Sequence, residues 1–202
     1  TMHFKPLDGG QFPLLGRLLR TSLLRRLDPE IVHAELLAQI AAFRQMFGRA
    51  PDYIDGHQHA QLFPQIRDAF LAAVKESAPD AWVRQCGRSL PLSQRLTNPK
   101  ALLLDTLSEA FRKKAARERI AFNTGFAGAY DMVRGRDFAD AMQGFLTGLP
   151  DGGLVMCHPG FVDEVLVGLD NVTHQREREF AFLNSDAFPR LLTESNVTLD
   201  RA

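Results

Sequence analysis

Short apolar runs alternate along this chain with longer amphipathic stretches, and two of those runs end in histidine. That alternation constrains the fold more than any other feature. A chain that repeats strand, then helix, folds into a parallel sheet covered by helices, because parallel neighbours need a crossover long enough to return to the same edge. The helical stretches carry their own punctuation. Asp28 and Pro29 form a start signal, and Leu36, Ile40, Phe43 and Phe47 then recur at helical spacing until Gly48 closes the run. Pro64 opens a second helix with Ile66, Phe70, Ala73 and Val74 on one face. Further helices are expected over 100–117, 138–146 and 175–183. Strands are expected at 53–55, 81–84, 120–122 and 153–157, with a last one at 197–199. No linker, repeat or low-complexity tract interrupts the 202 residues, so residues 1–202 read as a single β/α domain.

Composition narrows the function. Lys plus Arg (24) equals Asp plus Glu (24), a balance that argues against nucleic acid as a partner. The Arg-rich stretches 17–26 and 112–119 read as solvated helix faces. No apolar run approaches the roughly 18–20 residues needed to span a bilayer, so no membrane partner is expected. Two well-separated cysteines, Cys86 and Cys157, make neither a disulfide framework nor a zinc motif. A reducing compartment, the cytoplasm, is the expected location.

Chemistry in parallel β/α folds sits where strands end and loops begin. The 53–55 strand runs through Asp55-Gly56 into His57-Gln58-His59, and the 153–157 strand runs into His158-Pro159-Gly160. In extended backbone, residues two apart point the same way, so Asp55, His57 and His59 are expected on one face of one pocket. Imidazole and carboxylate together suit a divalent metal ion. A histidine such as His158 exchanges protons near neutrality and suits general acid/base work. His33 and His174 are expected in packing or surface roles. Arg84-Gln85, at the end of the 81–84 strand, is a candidate for binding substrate hydroxyls or, equally, for a structural salt bridge. The Gly-rich loop Asn123 to Asp131 is either a sugar-stacking edge or a plain connection.

The segment 47–51 leading into Ile54-Asp55-Gly56-His57-Gln58-His59, then Leu62-Phe63-Pro64-Gln65-Ile66, resembles the YdjC-like carbohydrate deacetylases, a family that includes the ChbG and HpnK proteins. Val155-Met156-Cys157-His158-Pro159 resembles that family's second signature. The resemblance implies an irregular, TIM-like parallel β/α barrel, incomplete at its N-terminus, with one divalent metal ion (Mg, Zn or similar). It implies hydrolysis of an N-acetyl group on a small carbohydrate substrate. His57 falls on the family's metal histidine, His59 on a pocket histidine that binds substrate, and His158 on the histidine that protonates the leaving amine. Asp55 falls on the motif's aspartate, expected to orient His57 through a hydrogen bond.

Two departures stand out. Gln61 occupies the place of a third motif histidine, where an amide keeps hydrogen bonding to sugar but loses proton exchange. The Asp-Asp pair that supplies the family's base and a metal ligand is absent from the sequence, and Met2-His3-Phe4 only superficially resembles the second metal histidine's segment. These departures leave two other readings open: a different metal hydrolase on the same barrel, and a fold relative that binds a glycan or partner without turnover. Missing early strands would expose a sheet edge, so a homodimer is expected.

Overall fold

The computed structural model describes residues 13–88, 99–132, 137–170 and 172–200. It is a mixed α/β chain whose residues group into two compact units. One comprises 13–87 and 99–123; the other comprises 88, 124–132, 137–170 and 172–200.

The first unit begins with α1 (Leu15–Leu23) and α2 (Pro29–Phe47). The Asp28 carboxylate accepts from the Glu30 and Ile31 amides, and Gly48 ends α2 in the left-handed conformation, as its sequence signals require. Next come β1 (Tyr53–Ile54), a 3-10 turn (His57–Leu62), α3 (Pro64–Ser77), β2 (Trp82–Val83) and α4 (Pro99–Glu118). β1 and β2 pair in parallel, with Tyr53 opposite Trp82, and Val83 bridges in parallel to Phe122. The expected 120–122 strand is thus a single bridge.

Burial follows the helical period. Phe70 and Val74 of α3, Phe111 and Ala115 of α4, and Val83 of β2 are buried together with Leu62 and Leu71. α2 lies on α3 through Ile40, Ala73, Ala78 and Ala81. His33 faces the Glu76 carboxylate at 3.3 Å, a packing role of the kind its sequence position suggests.

The second unit contains β3 (Phe126–Ala127), α5 (Phe138–Leu146), β4 (Leu154–Val155), α6 (Glu164–Leu169), α7 (His174–Leu183) and α8 (Ala187–Glu194). β3 and β4 are parallel, and Arg88 bridges to Phe126. Phe138, Ala141, Met142 and Leu146 form the core, covered by Phe182 and Leu183 of α7 and Phe188 of α8. The strand expected at 197–199 does not form. Val197 instead packs on this core from a segment without regular structure.

Gly128 is fixed by a close approach. Its φ is +99°, and a Cβ there would lie 2.1 Å from the Met156 carbonyl oxygen, so only glycine lets the chain leaving β3 pass this close to β4. Among the described residues, no helix is long and apolar enough to cross a membrane.

Candidate active site

Beyond β1 the backbone does not stay extended. Gln58 (φ 51°) and His59 (φ 62°) are both left-handed, which kinks the 3-10 turn formed by residues 57–62. The expectation that Asp55, His57 and His59 share one face therefore fails, because alternation holds only in extended chain. His57 is exposed and lines a cavity of about 970 Å³, with Asp55, Gly56, Gln58 and Gln61 around it and apolar side chains of α2 and α3 forming most of the wall. His59 does not line that cavity. Its Nδ1 edge turns toward Arg84 and Cys86.

Arg84 organises the turn from beneath. Its side chain is only 5% exposed. Nε donates to Asp55 Oδ1 at 2.6 Å, Nη2 lies 2.6 Å from the same oxygen and donates to the Gly56 carbonyl at 3.2 Å, and Nη1 meets His59 Nδ1 at 2.8 Å. Nη1 also donates to Cys86 Sγ at 2.9 Å. Of the two roles its sequence position leaves open, a substrate contact or a structural salt bridge, this guanidinium takes the second.

Asp55 is likewise committed. Its Oδ1 accepts from Arg84, from the Gly56 amide at 2.6 Å and from Gln61 Nε2 at 3.4 Å. Among the described residues it makes no hydrogen bond to His57. The orienting contact expected between them is replaced by the pull of the buried guanidinium.

Gln61 is 1% exposed. Its Nε2 donates to the Arg84 carbonyl at 3.1 Å, tying the turn to the end of β2. A Cβ on residue 56 would lie 2.3 Å from Gln61 Oε1, which explains the glycine in Asp55-Gly56-His57.

The segment after β2 is braced from behind. The Cys86 amide donates to Ser108 Oγ, and Asn123 Oδ1 accepts from the Gln85 amide. Burial pushes the Cys86 thiol up to about 12, against the opposing pull of the Arg84 charge. These polar partners escaped the sequence reading. Their one signal was a run of polar residues, Arg84-Gln85-Cys86, directly after an apolar strand.

In the second unit, His158 follows β4. Its backbone N–H donates to Glu179 Oε2, and Glu179 Oε1 accepts from the Tyr130 hydroxyl at 2.5 Å. Glu179, fully buried on α7, thus holds the His158 segment, a role with no sequence signature beyond an acid on a helix. Burial raises the Tyr130 phenol well above its ordinary value, with the Glu179 contact adding to it. The Val172 amide and Arg176 lower the Asp170 carboxyl, and the neighbouring His158 contributes less. Of the two aromatics in the loop 123–131, one is withdrawn from any sugar and the other is half-buried. Phe126 is buried in β3, and Tyr130 is engaged with Glu179.

A divalent metal ion fits the described residues poorly. Among them, no group of three His, Cys, Asp or Glu side chains could hold one. His57 is a single exposed donor, Asp55 Oδ1 faces a guanidinium, and His3 lies outside the described residues.

The family model for YdjC-like proteins matches residues 7–194, a span that takes in both histidine segments. The chain belongs to the YdjC-like family. This YdjC-like chain is 28% identical over 175 residues to a chitooligosaccharide deacetylase of Yersinia pestis, covering 86% of the chain and 60% of that protein. It is 27% identical over 139 residues to the chitooligosaccharide deacetylase of Klebsiella pneumoniae, covering 69% and 47% respectively. The chain therefore spans about half to three-fifths of the length of the curated relatives it matches. Its fold is shared with a crystal structure from Enterococcus faecalis V583, provisionally described as a cellobiose-phosphate cleavage protein. That comparison gives a TM-score of 0.71 at 19% identity and covers 96% of this chain and 66% of the other.

Proposed function

We propose that this YdjC-like chain takes part in removing an N-acetyl group from an amino sugar or chitooligosaccharide-type substrate. The observation that carries the reading is the exposed His57 at the end of β1, on a cavity wall and in a turn clamped by Arg84, in a chain whose curated relatives are named chitooligosaccharide deacetylases.

The reaction breaks the amide C–N bond as a water oxygen adds to the acetyl carbon. The water's proton goes to a base, the departing nitrogen takes a proton, and acetate and a free amine result. His158 is assigned as the acid that protonates that nitrogen, its backbone held by Glu179. His59 and Gln61 are assigned to the substrate side. Arg84 and Asp55 are assigned to holding the turn, a reassignment that follows from their pairing. His57 is the donor this chain offers to a divalent metal ion (Mg, Zn or similar). The described residues do not complete such a site, and no step is routed through it.

Within this reading residues 1–202 belong to one deacetylase-like domain, and the parallel β/α order belongs to an irregular, TIM-like barrel. The protein works in the cytoplasm as a homodimer.

A second reading draws support from the Asp55–Arg84 pair, which withholds the carboxylate next to His57 from proton transfer. In it the chain binds an acetylated sugar without hydrolysing it. Incubation with N-acetylated chitooligosaccharides and with cyclic amides, paired with calorimetric binding, separates the readings. Acetate release from the sugars alone supports the deacetylase. Sugar binding without acetate supports the binder, and turnover of cyclic amides points to another hydrolase.

A further inference from the structure

We propose that Arg84 is a positioning residue that fixes His59 as its Nε2–H tautomer, so that this ring presents a hydrogen-bond donor and not a base. The inference deepens the deacetylase reading and rests on it only for what the donor would meet. The tautomer is a property of the protein alone.

A guanidinium has five donors and no acceptor. With Arg84 Nη1 at 2.8 Å from His59 Nδ1, that nitrogen has to present its lone pair. Cys86 adds to the constraint. Its sulfur lies 3.3 Å from the same Nδ1, and it already faces two donors, Arg84 Nη1 at 2.9 Å and Gln61 Nε2 at 3.8 Å. The thiol keeps its proton at neutral pH, since burial pushes it up to about 12, and Nδ1 is the acceptor within reach. A proton on Nδ1 would set N–H against N–H. In a neutral imidazole one nitrogen donates and the other accepts, so the proton resides on Nε2.

The fork geometry explains why arginine stands here. One rigid plane reaches Asp55 Oδ1, the Gly56 carbonyl and His59 Nδ1, three acceptors on five consecutive residues. At 5% exposure, water competes little for these bonds. They also offset the strain of the left-handed backbone at Gln58 and His59. A fixed N–H donor suits a substrate oxygen, such as a sugar hydroxyl or an acetamido carbonyl. It does not suit the removal of a proton from water.

The test is long-range proton–nitrogen NMR on ¹⁵N-histidine-labelled protein at mildly alkaline pH, without substrate or metal. The His59 signals are assigned by their loss in His59→Gln. Wild type is expected to show one tautomer, with Nε2 protonated and Nδ1 bare. Arg84→Met is expected to turn that single pattern into a mixture. A wild-type ring protonated on Nδ1, or a mixed wild-type population, overturns the proposal whether or not the variant folds. A folded Arg84→Met protein with the wild-type pattern overturns it as well. Acetate release is scored separately, so a chain that hydrolyses nothing defeats the deacetylase reading while the tautomer result still stands or falls by itself.

Discussion

The Asp55 carboxylate and the Arg84 guanidinium meet at 2.6 Å, joining the end of β1 to the end of β2 across 29 residues of sequence. The two partners differ in exposure: Arg84 is 5% exposed and Asp55 39%. Removing one side of a buried pair leaves the other uncompensated, whereas solvent screens a partly exposed partner. Asp55→Asn, which leaves the buried guanidinium uncompensated, should therefore destabilise by about 3 kcal/mol, and Arg84→Met, which leaves a solvent-screened carboxylate, by about 1–2 kcal/mol. Urea unfolding checks the order, with midpoints shifting at an unchanged slope.

Gly128→Ala places a methyl group 2.1 Å from the Met156 carbonyl oxygen at a φ of +99°. Backbone has to move on both sides of the β3–β4 pair. A loss of about 3 kcal/mol or more is expected, read as a lowered melting temperature. Gly144→Ala, where nothing lies within 4 Å of the added atom, should leave it unchanged or raised.

Cys86 makes stability depend on alkaline pH. Its folded value, about 12, stands above the ordinary 9.0, so the folded state holds the thiol proton more tightly than the unfolded chain does. The resulting stabilisation is fully present below about pH 9 and is lost as pH rises toward 12, at up to about 1.4 kcal/mol per pH unit. Comparing wild type with Cys86→Ala across that window isolates the effect. The variant's stability curve should be flatter.

Where the purified protein retains a divalent metal through equilibration and desalting, measured by elemental analysis, His57→Ala should lower its content. The fold should be unaffected, because the exposed ring makes no hydrogen bond among the described residues. Unchanged metal content would remove His57 as a donor.

Much of the helical framework was legible because its signals are local. Asp28-Pro29 and Gly48 bracket α2, Pro64 starts α3, and the apolar runs at 53–54, 82–83 and 154–155 are strands. β3 escaped because Gly125 and Gly128 disguise it as a loop, while its glycine requirement comes from Met156, far along the chain. α8 was hidden by Pro189, which a first helical turn tolerates since its amide needs no partner there. At the site, residue types were readable but directions were not. Whether His59 follows His57 into the cavity depends on two left-handed residues, and that conformation rests on a guanidinium that arrives from another strand.

Acetate release from N,N′-diacetylchitobiose, followed together with the appearance of free amine, tests the central claim most directly. The wild-type chain is expected to form the two products in equal amounts, and His158→Gln to lower the rate by about 10²-fold or more while the sugar still binds. A wild-type chain that binds the sugar and yields neither product, or a His158→Gln chain as fast as wild type, would contradict the account.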